Sequence, residues 1–153
     1  MKGWNRVRRP RIGRDEKGSE MTRTASCSCG QLSITVQGEP KQVLICHCFE
    51  CQKQSGSVFL SWSYWPKSAI TAMKGNASRY RRVAESGRTV DNYFCPDCGS
   101  TVYGDSEDIP DEMSIVVGNF AEPTFAPPTA AMWARCRHPW VQWPKHLPEH
   151  PTQ

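Results

Sequence analysis

The sequence predicts a mostly β, single zinc-stabilised domain of short antiparallel strands, and three observations carry that expectation. Apolar and polar residues alternate over short runs, as in "QLSITV", where Leu32, Ile34 and Val36 share one parity. Aromatic and β-branched residues gather in runs closed by Gly or Pro, such as "SVFLSWSYW" before Pro66. No window sustains a 3.6-residue apolar period long enough for a major helix.

In order, "QLSITV" is a half-buried strand that stops at the turn "GEP". "QVLIC" is a second strand running into the first thiols, and "SVFLSWSYW" a third. "SRYRRV" and "TVDNYF" flank "AESG" as a hairpin. "STVYG" and "MSIVVGNF" follow, then a proline-rich loop, "AEPTFAPPT", and a last strand near "AMWARC". The ending, "PKHLPEHPTQ", reads as a frayed tail with His146 and His150 solvated. The expected division is a basic disordered tail over 1–22, a zinc-binding β domain over 23–144 and a C-terminal tail over 145–153.

The chain has 153 residues and a formal charge of +4. All of that charge lies in the first 20 residues, which hold seven Lys/Arg against three acids. The remaining body carries twelve of each sign, so it has no net electrostatic attraction for nucleic acid or an anionic membrane. Without an apolar leader or a run of roughly 18 apolar residues, the expectation is a soluble, cytoplasmic protein. Thiols in such a compartment are kept reduced, so eight cysteines point to metal ligation rather than to a disulfide framework.

The thiols fall at Cys27 and Cys29, at Cys46, Cys48 and Cys51, at Cys95 and Cys98, and at Cys136. Structural zinc takes four ligands, commonly as two short pairs from distant parts of the chain. "CPDCGS" is one such half-site, with Gly99 permitting the tight turn, and "CSCG" is its partner. Cys27, Cys29, Cys95 and Cys98 therefore make a closed four-thiolate site. "CHCFEC" supplies the remaining three ligands, Cys46, Cys48 and Cys51, and three protein ligands with one exchangeable position describe a catalytic zinc. Two residues are candidates to close that position, His47 and Cys136. The strand pleat turns His47 away from the neighbouring sulfurs.

Taken together, Cys27-x-Cys29-Gly30, Cys46-His47-Cys48-x-x-Cys51 with Ser55-Gly56, Phe94-Cys95-x-x-Cys98-Gly99-Ser100 and Arg137-x-Pro139-Trp140 resemble the glutathione-dependent formaldehyde-activating enzyme family, which includes centromere protein V. The resemblance implies a β-tent fold, two zinc ions per chain divided as above, and a carbon-sulfur lyase that adds glutathione to formaldehyde to give S-(hydroxymethyl)glutathione. It makes Cys27, Cys29, Cys95 and Cys98 the structural ligands and Cys46, Cys48 and Cys51 the catalytic ones. Phe59, Trp62 and Trp65 are candidates for a pocket wall or for core, and Arg137 for an anionic substrate group or a salt bridge. One departure is Ala131, where many members carry a histidine close to the substrate. The alternatives are a non-catalytic zinc-binding interaction module and another small-molecule enzyme on the same scaffold.

Overall fold

A computed structural model describes residues 21–144 and 146–152. The basic segment over residues 1–20 lies outside the described residues, and so therefore does most of the expected N-terminal tail. Eleven strands occur among the described residues: β1 (Thr22–Ser26), β2 (Ser33–Gln37), β3 (Gln42–Cys46), β4 (Leu60–Pro66), β5 (Ile70–Lys74), β6 (Ser78–Val83), β7 (Thr89–Phe94), β8 (Thr101–Ser106), β9 (Glu112–Val116), β10 (Ala130–Met132) and β11 (Glu149–His150). They form a three-stranded sheet, β1-β2-β5, and an eight-stranded sheet, β11-β10-β3-β4-β9-β8-β7-β6. Pairing is antiparallel except where β10 runs parallel to β3 and to β11. The mostly antiparallel β class read from the sequence stands.

Alternation sets which side chains meet. On β2, Ile34 and Val36 are fully buried, and with Ala25 and Leu32 they pack into one cluster with Trp65, Val102, Met113, Ile115 and Phe120. That cluster joins the small sheet to one face of the large one. Trp65, fully buried, donates its indole N–H to Ser63 Oγ at 2.9 Å, and Ser63 donates in turn to the Ile115 carbonyl at 3.0 Å. Residues of opposite parity, Leu44, Cys46, Trp62, Tyr64 and Ser114, line a cavity on the other face. Trp62 and Trp65 thus take different parts, one in the cavity wall and the other in the core.

Several elements differ from the sequence reading. β1 and β5 were not anticipated, because β1 buries only Ala25 and β5 has no fully buried residue; both exist as partners of β2. A short helix, α1 (Phe49–Ser55), follows Cys48, too brief to be the major helix that the sequence excludes. Cys48 caps its N-terminus by accepting from the Cys51 N–H, and Gly56, at φ 64°, closes it. "MSIVVGNF" is strand only to Val116, after which a 3-10 turn over Val117–Phe120 buries Phe120. "AMWARC" likewise breaks after Met132, with Trp133 at φ 58° ahead of a 3-10 turn over Ala134–Cys136. The stretch read as a frayed tail carries β11, because β10 leaves one edge unpaired and Glu149 and His150 fill it opposite Ala131 and Met132.

Candidate functional site

Two groups of sulfurs converge. Cys27, Cys29, Cys95 and Cys98 come together from the β1–β2 and β7–β8 turns, all four sulfurs within 4.8 Å of one another. Four ligands at about 2.3 Å in a tetrahedron would sit about 3.8 Å apart. The Cys27–Cys29 and Cys29–Cys95 sulfur separations are 3.5 and 3.6 Å. Each turn closes in the same way: Gly30 N–H reaches the Cys27 carbonyl and Gly99 N–H the Cys95 carbonyl, with φ of 82° and 75°. Such turns need the glycine, because a side chain is strained at positive φ. The Leu32 N–H and the Gln31 amide donate to Cys27 and Cys95 sulfurs, each at 3.2 Å, an arrangement that suits thiolates. Hydrogen bonds from the side chain and backbone of Ser100 hold Cys98 down to about 5.

Cys46, Cys48 and Cys51 form the second group, again with sulfurs within 4.8 Å of one another. β3 delivers Cys46, the helix cap Cys48, and the first turn of α1 Cys51. Hydrogen bonds from Cys46 and Cys51 hold the Cys48 thiol down to about 2, and the Arg82 charge acts in the same direction. In return the hydrogen bond with Cys48 pushes Cys46 up to about 12, and Cys46 and Cys48 push buried Cys51 higher still. Three sulfurs this close cannot all ionise side by side without a cation among them. Both donor sets therefore fit a soft divalent metal ion.

The three-sulfur group opens on a cavity of about 890 Å3 walled by Trp62 and Tyr64. Burial, then the nearby Cys46, pushes the Tyr64 phenol above its ordinary range. Glu85 in the β6–β7 hairpin and Arg135 beyond β10 meet at 3.5 Å, so the two ends of the large sheet are bridged at the cavity's edge.

His47 is fully buried and both its ring nitrogens are engaged. Nε2 accepts from the Trp143 indole N–H at 3.2 Å, which leaves the proton on Nδ1, 3.3 Å from the Val58 carbonyl. Phe59 packs edge-on against Trp143, with ring centres 5.1 Å apart, and desolvation lowers the His47 pKa. Cys136 does line the cavity, but its sulfur falls outside the close group. The Gln52 amide donates to the His47 and Cys136 carbonyls at 2.8 and 3.1 Å and fastens α1 to both neighbouring segments. Arg137 is ion-paired with Glu149 of β11 and is absent from the cavity wall. Ala131, opposite Ile45, is fully buried on the face away from the cavity, whereas Ala130 and Met132 line it. Having alanine at position 131 therefore leaves no gap in the wall.

Two wall residues, Gln54 and Arg82, escaped the sequence reading. Strand parity holds the signal for Arg82, which alternates with Arg79 and Arg81. For Gln54 the only signal is its place one helical turn after Cys51.

Known proteins are similar to this chain to different extents. A crystal structure of a Rhodobacter sphaeroides protein superposes with a TM-score of 0.52 at 19% identity, over 68% of this chain and 91% of that one, a likeness of fold. A protein of Penicillium rubens named "Putative glutathione-dependent formaldehyde-activating enzyme" is 30% identical over 78 residues, 51% of this chain. The match spans 40% of that relative's length. The family described as glutathione-dependent formaldehyde-activating enzyme matches residues 22–136, a span that includes both sulfur groups and most of the cavity wall, and the protein belongs to that family.

Proposed function

We propose that the protein is a zinc-dependent carbon-sulfur lyase that adds a small thiol, such as glutathione, to formaldehyde or a related aldehyde. In this reading it holds two zinc ions. Cys27, Cys29, Cys95 and Cys98 keep one as a closed structural site, and Cys46, Cys48 and Cys51 hold the other at the reaction site. The observation that carries the proposal is that the second group has three sulfurs rather than four and opens on a cavity large enough for a tripeptide.

A zinc ion bound there supplies Lewis acidity and favours the thiolate form of a thiol. The chain's own residues do the rest. Trp62 and Tyr64 exclude water from one wall of the cavity. The thiol sulfur adds to the carbonyl carbon, and its proton ends on the former carbonyl oxygen. Tyr64, whose phenol keeps its proton at neutral pH, serves as a hydrogen-bond donor to that oxygen. His47 stays neutral behind the ligand loop and positions it through the Val58 and Trp143 contacts.

Adduct formation from glutathione and formaldehyde, followed alongside zinc content, tests the reading. Wild type is expected to carry two zinc ions and to accelerate the reaction. Cys48→Ala is expected to fold, keep one zinc and lose the acceleration. Wild type with both zinc ions and no acceleration would sink the enzyme reading in favour of a zinc-binding interaction module.

A further inference from the structure

The cavity wall carries six Asp, Glu and Arg side chains, and among the described residues five of them are matched. Glu50 pairs with Lys53 at 2.9 Å, Asp105 with Lys67 at 3.0 Å and Asp108 with Arg88 at 2.6 Å, while Glu85 and Arg135 pair with each other. Arg82 is the exception. The other described arginines, at 23, 79, 81, 88, 135 and 137, each meet a carboxylate, whereas among the described residues the Arg82 side chain has neither an ion-pair nor a hydrogen-bond partner and its Nε is buried. Gln54, on α1, has the same defect: its Nε2 is buried and donates to nothing.

These two residues lie together. Both line the large cavity and also an adjoining one of about 260 Å3, which shares Glu50, Gln54, Arg82 and Asn92 with it. Both also neighbour the sulfurs: Gln54 follows Cys51 by one helical turn, and Arg82 is near enough for its charge to act on Cys48. Buried donors left unmatched are destabilising, and a guanidinium with a nearby amide is the donor set that receives a carboxylate. We infer that Arg82 and Gln54 form a carboxylate-binding subsite beside the three-cysteine group, which holds a carboxylate of the thiol substrate and selects for it. This deepens the proposed function and rests on its placing the thiol at Cys46, Cys48 and Cys51.

Calorimetric titration of the zinc-loaded full chain separates the two claims with three ligands: glutathione, its diethyl ester with both carboxylates masked, and S-methylglutathione with the thiol blocked. For wild type, masking the carboxylates is expected to weaken binding by about tenfold or more, the scale of a lost charge-assisted contact. Arg82→Gln is expected to weaken glutathione by about tenfold while changing the ester by less than about twofold, with Arg82→Lys in between. Gln54→Leu should act in the same direction and less strongly, and Arg135→Gln, which removes a matched arginine, should leave the preference for glutathione over its ester unchanged. Circular dichroism and zinc content establish folding, and if Arg82→Gln does not fold, Gln54→Leu and the wild-type ester comparison decide. Equal affinity of wild type for glutathione and its ester, an equal effect of Arg82→Gln on both, or no binding of any of the three ligands would overturn the subsite. S-methylglutathione binding as tightly as glutathione, with the ester weak, would instead leave the subsite standing and remove the thiol from the metal.

Discussion

Removing one buried polar group is informative where its partners are defined. The Trp65 indole N–H has Ser63 Oγ as its acceptor, deep between the sheets. Ser63→Ala leaves that donor unmatched, and we expect a loss of about 1–3 kcal/mol in denaturant unfolding with no change in metal content. Asp91 gives a pH-dependent case. Arg81 binds its two carboxylate oxygens, each at 2.8 Å, and holds the carboxyl below its usual range. The unfolded chain therefore takes up this proton first, at about pH 3.9. The stabilisation is complete above that value and is lost as pH falls through it toward the folded value. The gap in urea midpoint between wild type and Asp91→Asn should accordingly be wider at pH 7 than at pH 4. Both proteins lose any metal-dependent stability together, so the gap isolates the carboxylate. Arg82, one residue along β6, faces the opposite side and has no such partner, so the same strand serves stability with one parity and the cavity with the other.

Among the turns, the one after β5 carries the closest approach. Gly75 sits at φ 88°, and a Cβ built there would lie 1.8 Å from the Gln31 carbonyl oxygen. Gln31 in turn holds both the Asn76 backbone and the Cys95 sulfur. Gly75→Ala must push Gln31 aside, so we expect a loss of at least about 1–3 kcal/mol, and faster metal release from the four-sulfur group to a chromogenic chelator. Gly118→Ala is the control, since a Cβ there meets nothing within 4 Å and the expected change is within about 0.5 kcal/mol. Elements also differed in how far the sequence displayed them. β2, β3 and β4 bury alternate or continuous apolar residues and were legible, and the β6–β7 hairpin, which buries only Asp91 and Asn92, was legible through the turn "AESG"; β1, β5 and β11 bury almost nothing and arise only because another strand offers an unpaired edge.

Across the whole molecule, the two sulfur groups differ in how much chain they tie together. The four-sulfur group clasps the turn of the small sheet to the β7–β8 turn of the large one, whereas the three-sulfur group spans residues 46 to 51. Binding at a structural zinc site is worth about 10–16 kcal/mol, comparable with the whole stability of about 5–15 kcal/mol typical of a domain. Cys98→Ala is therefore expected to yield protein without a cooperative thermal transition, while Cys48→Ala melts cooperatively and only modestly below wild type. If Cys48→Ala also lost its transition, the local group would be holding the fold, and the reaction site would have to lie elsewhere.

The sequence by itself determined the β class, through period-two burial, and the local cysteine pairs and triple, because sulfurs two or three residues apart can converge on one point, while the meeting of the two pairs depends on how the sheets pack. It also determined that α1 could be no more than short. What only the tertiary structure decided are the features made by strands distant in sequence. The cavity wall draws on every strand of the eight-stranded sheet, and nothing local says that position 82 lies beside position 54, that Cys136 stays outside the sulfur group, or that Arg137 is committed to Glu149. The strand pleat already turns His47 from the sulfurs, but its partners Val58 and Trp143, and the face that Ala131 takes through the pairing of β3 with β10, come only with the fold. Each cysteine pair or triple is a short-range property of the chain, whereas the meeting of the two pairs and the shape and charge of the cavity are long-range ones, fixed only by the packing of the two sheets and when the eight-stranded sheet brings its ends together.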